Sequence, residues 1–221
     1  MRMTLRKILG VMVTLGTLSS FLASAAVAGN LIVSVSNKKG ESLENAVVML
    51  TPQFTLSTPV VAADSPEMRQ EGALFSPFVL PVKVGTKVSF PNFDEFRHHV
   101  YSFSKTKRFE LRLYGKDETN FITFEKPGIV ALGCNIHDNM LSYIYVTEAP
   151  IMKKTDANGT ATLTDLEPGQ YKMEIWHPGV KRKGMPTPKI ITIADGNRSE
   201  SGQLDLRRVW GIQTQPAEGQ Y

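Results

Sequence analysis

Short apolar stretches separated by turn residues run through this chain from about residue 30 to residue 193. Val, Ile, Phe and Thr are frequent in the stretches, and Gly, Pro, Asn and Asp separate them at short intervals. This pattern is typical of all-β proteins, and no convincing amphipathic helix interrupts it. We predict strands at 31–36, 46–50, 79–84, 87–90, 99–103, 109–113, 121–124, 129–133, 142–146, 160–163, 171–177, 189–193 and 204–206. This set is sufficient for a β-sandwich.

The first 28 residues have the parts of a secretory signal peptide. Arg2, Arg6 and Lys7 form a basic start, an apolar stretch runs to about Leu22, and small residues end at Ala28. The apolar stretch is shorter than the roughly 20 residues that a membrane-spanning helix needs, and no other stretch comes close. We therefore predict export to the periplasm, cleavage after about Ala28, and no membrane span in the mature chain.

The charge distribution does not predict a nucleic-acid-binding surface. The signal peptide carries most of the formal net charge of +4. Lys105, Lys107 and Arg108 are followed at once by Glu110, and no Arg-rich helix is visible. We expect this basic segment to be a solvated loop and expect no nucleic-acid partner.

Cys134 is the only cysteine of the chain, so no disulfide can form within it. An exported compartment is oxidising and favours disulfides. A lone exported thiol is therefore buried and inert, paired with another chain, or held by a metal as a thiolate. Composition by itself favours burial.

The run Gly-Cys-Asn-Ile-His-Asp-Asn-Met at 133–140 follows the predicted strand 129–133. Cys134, His137 and Met140 place a thiolate, an imidazole and a thioether in one tight loop. Together with a second imidazole, these groups form a ligand set that suits both Cu(I) and Cu(II). The spacing resembles the short ligand loop of the cupredoxins, the blue copper proteins.

The second imidazole should come from a distant strand. The run from Asn92 to Tyr101 resembles the cupredoxin stretch in which His-Asn-Val follows a strand and a loop. Aligned in this way, His98 is the ligand, and His99 takes the place of the Asn that normally steadies the ligand loop. We favour His98 because Val100 then keeps its aligned position. His99 is the alternative, since the alternation of a strand allows only one of the two imidazoles to face inward.

The resemblance implies one type 1 copper ion with four ligands. Cys134 would be the thiolate, His98 and His137 the equatorial imidazoles, and Met140 the weak axial ligand. The chain is most similar to exported cupredoxins labelled methylamine utilization proteins. By resemblance, His137 lies nearest the surface, where an unknown periplasmic redox partner protein docks.

The number of histidines and the predicted methionine ligand limit the chemistry further. Four histidines in the whole chain are too few for the additional coppers of a multicopper oxidase or a nitrite reductase. A methionine ligand also argues for copper over zinc.

Segments on both sides of the copper motifs resemble a second kind of β-sandwich. The segments 155–159 and 166–171 resemble the second half of the carboxypeptidase-regulatory, or transthyretin-like, sandwich, and 33–35 and 45–50 resemble its first half. We interpret the chain as a cupredoxin-like Greek-key sandwich inserted in, or joined to, this second sandwich. The predicted units are the signal peptide 1–28, the first transthyretin-like strands and connector 29–65, the cupredoxin domain 66–148, the remaining transthyretin-like strands 149–196, and a flexible tail 197–221. The alternative is an N-terminal hairpin of the copper domain followed by a separate C-terminal domain.

Other polar residues are predicted to lie outside the site. Asp94 and Glu95 fall in a loop without a partner set, so we expect both to be solvated. His177 ends a strand and is predicted to be structural or superficial. No nucleophile elbow surrounds Ser102 or Ser104. We therefore expect no catalytic residues and predict that the chain is not an enzyme.

Three functional hypotheses follow from the sequence. The leading one is a one-electron carrier that cycles between Cu(II) and Cu(I). The second is a copper-binding or copper-delivery module without a role in electron transfer. The third is an adhesion or scaffold protein in which the transthyretin-like part acts.

Overall fold

The computed structural model describes residues 28–60, 65–181, 184–207 and 213. These residues form strands and no helix, so the prediction of an all-β fold is confirmed. The strands are β1 (Gly29–Asn37), β2 (Val47–Pro52), β3 (Arg69–Glu71), β4 (Leu74–Ser76), β5 (Val79–Lys83), β6 (Thr86–Pro91), β7 (His98–Phe103), β8 (Arg108–Tyr114), β9 (Thr119–Phe124), β10 (Gly128–Cys134), β11 (Leu141–Thr147), β12 (Ile151–Lys154), β13 (Thr160–Leu166), β14 (Gly169–Trp176), β15 (Lys189–Ile193) and β16 (Gly196–Leu204).

The predicted signal peptide, apart from Ala28, lies outside the described residues. Among the residues that are described, no helix is long and apolar enough to cross a membrane.

Strands from the two ends of the chain form one sandwich, called here the terminal sandwich. One of its sheets has the order β13-β1-β16, and the other has the order β12-β2-β14-β15. Leu31 and Val33 from the first sheet and Tyr171 and Ile191 from the second are buried in one apolar cluster. The two sheets therefore share a single core.

The strands between β2 and β12 form a second sandwich, called here the central sandwich. Its main sheet has the order β5-β11-β10-β7-β8, and the pairs β6-β9 and β3-β4 lie opposite. Isolated bridges join these pairs. Glu67, which precedes β3, bridges to Ser89 of β6, and Gln70 of β3 bridges to Asn92, which follows β6. Val100 and Leu132 from the main sheet pack with Phe75, Phe90 and Phe124 from the opposite side.

A third apolar cluster lies between the two sandwiches. Val47 and Trp176 of the terminal sandwich are buried against Val79 of the central one, with Tyr143 and Tyr145 packed beside them. The rings of Trp176 and Tyr145 have centroids 4.6 Å apart. The two sandwiches are therefore joined by an apolar interface as well as by the chain.

The pairing of the N-terminal strands bears on the domain organisation. β1 pairs with β13 and β16, and β2 pairs with β12 and β14, all of which follow residue 150. This is the pairing that an insertion requires, because the two ends of the terminal sandwich meet across the central one. The division into cupredoxin and transthyretin-like domains stays a prediction.

The tail predicted to be flexible from residue 197 begins instead with a strand. β16 spans Gly196–Leu204 and pairs in parallel with β1 along its whole length. Its residues are mostly polar and exposed, and Leu204 is the one residue of β16 that is fully buried. Main-chain hydrogen bonds to β1 hold this edge strand, so its side chains carry little of the apolar pattern from which strands are predicted. The residues 208–212 and 214–221 of the tail lie outside the described part.

Candidate metal centre

The two predicted ligand segments meet because β7 and β10 are neighbours. Cys134 at the end of β10 pairs in register with Val100 of β7, two residues after His98. The Sγ atom of Cys134 lies 3.7 Å from Nδ1 of His98. The antiparallel pairing of β7 and β10 thus brings a thiol and an imidazole together from distant parts of the chain.

The loop between β10 and β11 brings the second imidazole to the same thiol. Nδ1 of His137 lies 3.8 Å from Sγ of Cys134. The amide of Met140 donates to the carbonyl of His137 at 3.0 Å, which keeps the loop tight. The side chain of Met140 is buried in the same apolar cluster as Cys134.

The ligand atoms of His98, Cys134 and His137 all lie within 4.8 Å of one another. Metal bonds to nitrogen and sulfur are about 2.0–2.3 Å long, so two such ligand atoms at a trigonal angle lie about 3.7 Å apart. The two Sγ–Nδ1 distances agree with this value. A thiolate with two imidazoles is also the equatorial set that suits copper. The residues present therefore fit a copper ion, and their roles as ligands, including that of Met140, stay predictions.

The surroundings of Cys134 favour its thiolate. Burial raises the pKa of the thiol, but hydrogen bonds with His98, with the backbone of His99 and Ile136 and with His137 outweigh this effect and lower the pKa to about 6. Burial has the opposite effect on His98 and lowers its pKa. The contacts of His98 with Cys134 and Asp94 outweigh this effect and leave its pKa raised. A thiolate is the form of cysteine that binds metal ions.

Of the two competing histidines, His98 is the one that faces Cys134. It is fully buried, whereas Nε2 of His99 contacts Oε1 of Glu110 at 2.9 Å near the surface. A register shift between His98 and Val100 interrupts the ladder with β8 at this point. The backbone of His99 contacts the ligand loop, since its carbonyl accepts from the amide of Asn135 at 3.3 Å.

The prediction that Asp94 is solvated is wrong. Its carboxylate is only 9% exposed and lies 2.7 Å from Nε2 of His98. The amide of Asp94 donates to Oδ1 of Asn92, and this local turn directs the carboxylate back toward the start of β7. No sequence signal predicts this contact. A four-residue spacing brings two side chains together in a helix, but Asp94 and His98 do not lie in a helix. Glu95, by contrast, is exposed as expected and pairs with Lys116.

Phe96 is a second residue of the site that the sequence did not single out. Its ring centroid lies 5.1 Å from that of His98 and 5.2 Å from that of His137. The ring is half-buried and packs against the cluster that contains Cys134. It therefore covers both imidazoles on one side and limits the access of water to them.

The comparisons with known proteins return solved structures alone. No protein-family model matches the chain, and no curated protein matches it. A Cu-containing nitrite reductase (NirK) from Thermus scotoductus SA-01 is 29% identical with a TM-score of 0.37, covering 44% of this chain and 25% of that chain. This chain therefore spans about a quarter of the length of that reductase.

Two smaller proteins are also similar to this chain. A purple cupredoxin from Nitrosopumilus maritimus is 20% identical with a TM-score of 0.34, covering 38% of this chain and 100% of that chain. A Cu(I) form of an amicyanin mutant is 20% identical with a TM-score of 0.35, covering 45% of this chain and 99% of that chain. Solved structures similar to this chain thus include cupredoxins.

The site lies close to an exposed apolar surface. Ile136, in the ligand loop, and Leu113, at the end of β8, are each 51% exposed. They line a depression together with His99, Arg112 and Asn135. His137 is half-buried next to Ile136, whereas His98 lies fully inside. Of the two imidazoles, His137 is therefore the one nearer to solvent.

Proposed function

We propose that this chain is an exported type 1 copper protein that carries one electron at a time and catalyses no reaction. The observation on which the proposal rests is the convergence of Nδ1 of His98, Sγ of Cys134 and Nδ1 of His137 within 4.8 Å at one end of the central sandwich. The pKa of Cys134, lowered to about 6, provides the thiolate that copper requires near neutral pH.

In this proposal Cys134 is the thiolate ligand, His98 and His137 are the equatorial imidazoles, and Met140 is the axial thioether. A bound copper ion would supply a Cu(II)/Cu(I) couple, which both the nitrogen and the sulfur ligands tolerate. The chain holds the ligands in a packed environment, since His98, Cys134 and Met140 are all buried. Buried ligands change position little when the charge of an ion changes, which favours fast electron transfer.

The position of His137 supports a route for the electron. His98 is enclosed by the central sandwich, so the half-buried imidazole of His137 offers the shorter path to solvent. Ile136 and Leu113 provide exposed apolar area beside it. We place the docking surface of a periplasmic redox partner here, because small apolar patches with a polar rim are typical of transient interfaces.

The decisive experiment uses the mature chain from Gly29 onward, loaded with Cu(II). We expect a blue thiolate-to-copper absorption band and the narrow hyperfine splitting of a type 1 centre in electron paramagnetic resonance. Cys134→Ser should abolish the band. A colourless copper-loaded chain would contradict the proposal.

Voltammetry separates electron transfer from copper delivery. A carrier gives a reversible one-electron couple and keeps its copper when mixed with an apo acceptor protein. A delivery module loses copper to the acceptor and shows no reversible couple. The second result would replace the carrier function by the delivery function.

A further inference from the structure

Asp94 has contacts that a surface carboxylate would not have. Its Oδ1 accepts from the amide of Gly72 at 2.7 Å, and its Oδ2 accepts from the amide of Ala73 at 3.1 Å. Oδ2 also lies 2.7 Å from Nε2 of His98. The buried carboxylate is thus surrounded by three donors, which compensate for its removal from water.

The contact with Asp94 determines which nitrogen of His98 carries the proton. An ionised carboxylate only accepts hydrogen bonds, so Nε2 of His98 must be the donor. In the neutral imidazole Nδ1 then has a free lone pair, and this is the atom that faces Sγ of Cys134 at 3.7 Å. A lone pair on the nitrogen directed at the thiol is what a metal ligand needs.

The turn that holds Asp94 has a special backbone conformation. Gly72 and Ala73 join β3 to β4 with φ values of 63° and 53°. The left-handed region is unfavourable for alanine, so the surroundings must hold it there. In this conformation two successive amides point at one carboxylate.

The same turn also contacts the ligand loop. The carbonyl of Ala73 accepts from Nδ2 of Asn139 at 3.3 Å. Asn139 lies between His137 and Met140 in the chain. The turn at Gly72 and Ala73 is therefore connected to His98 through Asp94 and to the loop of Cys134 through Asn139.

We infer that Asp94 is a positioning residue, which holds His98 as the Nε2-protonated tautomer with Nδ1 directed at Cys134. The turn at Gly72 and Ala73 braces His98 through Asp94 and the loop of Cys134 through Asn139. The inference rests on the proposed copper site for its effect on metal binding. The tautomer of His98 is a property of the metal-free chain and is tested without copper.

The first measurement is nitrogen NMR of the imidazoles in the metal-free mature chain, at a pH above the titration of His98. The expected result is a single tautomer of His98 with the proton on Nε2. A proton on Nδ1 in the wild-type chain overturns the inference, whatever any variant does.

The second measurement compares Asp94→Asn with Glu95→Gln, which removes the charge of the neighbouring exposed carboxylate. The asparagine amide cannot accept from Gly72, Ala73 and His98 together, so the tautomer of His98 should become mixed. Loss of such a contact lowers metal affinity by about 10–100-fold, and the copper hyperfine splitting should change with it. Glu95→Gln should match the wild type in both respects.

The outcomes separate the inference from the proposed function. A wild-type chain without a blue band contradicts the function, while the NMR arm still decides the role of Asp94. A blue wild-type chain with an unchanged tautomer, affinity and splitting in a folded Asp94→Asn variant overturns the inference alone. If Asp94→Asn does not fold, it is replaced by Asp94→Glu, which restores a carboxylate. The inference is then supported if His98 carries its proton on Nε2 in both the wild type and Asp94→Glu.

Discussion

The thiol of Cys134 and the imidazole of His98 lie 3.7 Å apart although 36 positions separate them in the chain. Both side chains are buried, and the contact depends on the register of β7 against β10. Each group also stabilises the ionised form of the other. The pair is therefore the starting point for tests of the site.

The neighbouring histidines provide a matched pair of variants. His98→Gln removes a buried imidazole that faces Cys134, so we expect the blue band to be lost and Cu(II) affinity to fall at least 10-fold. His99→Gln removes a side chain that contacts Glu110 near the surface, and the band should persist. Absorption spectra of the two copper-loaded variants check this expectation. Loss of the band in His99→Gln alone would assign the ligand to His99.

Phe96 is expected to shield the imidazoles that it covers. Phe96→Ala should lower the free energy of unfolding by about 1–3 kcal/mol, because a half-buried ring is lost, and should speed the removal of copper by a chelator. The control is Phe93→Ala, since Phe93 is a more exposed ring of the same loop. Denaturant unfolding and chelator kinetics measure both effects. Equal copper loss from the two variants would argue against shielding by Phe96.

His177 is expected to make the fold sensitive to acid. Its Nδ1 accepts from the amide of Gly179 at 3.0 Å, and burial lowers its pKa below 6.5. The unfolded chain then binds more protons than the folded chain, so this contribution to stability is present above a pH of about 6.5 and is lost as the pH falls below it. Urea unfolding of wild type and His177→Gln between pH values of about 7.5 and 5 measures it. The variant should lose less stability over this interval, and parallel losses would contradict the expectation.

Leu204 tests whether the start of the tail is part of the terminal sandwich. Its side chain is fully buried in the core of that sandwich. Leu204→Ala should therefore lower the free energy of unfolding by about 2–4 kcal/mol. Gln203→Ala, at an exposed position of the same strand, should change it by less than about 0.5 kcal/mol. Thermal unfolding of both variants checks this. An effect of Leu204→Ala as small as that of the control would support the prediction of a flexible tail.

Much of the fold could be predicted from local patterns. The predicted strands at 129–133 and 142–146 agree with β10 and β11 within a residue or two, because both are short runs rich in apolar, β-branched or aromatic residues. β3, β4 and β12 have three or four residues each, too few for a periodic pattern. β16 is longer, but a polar edge strand shows no apolar alternation.

The sequence by itself determined the all-β fold class and the loop in which Cys134, His137 and Met140 are close, because both depend on residues near one another in the chain. Only the tertiary structure decided that His98 rather than His99 faces the thiol, since the packing of β7 and its pairing with β10 set which of its alternating side chains point inward. It also decided that Asp94 is buried against His98, because the amides that hold the carboxylate come from a turn 21 and 22 positions earlier. Contacts of this kind depend on how strands pair and pack, and no local pattern records them.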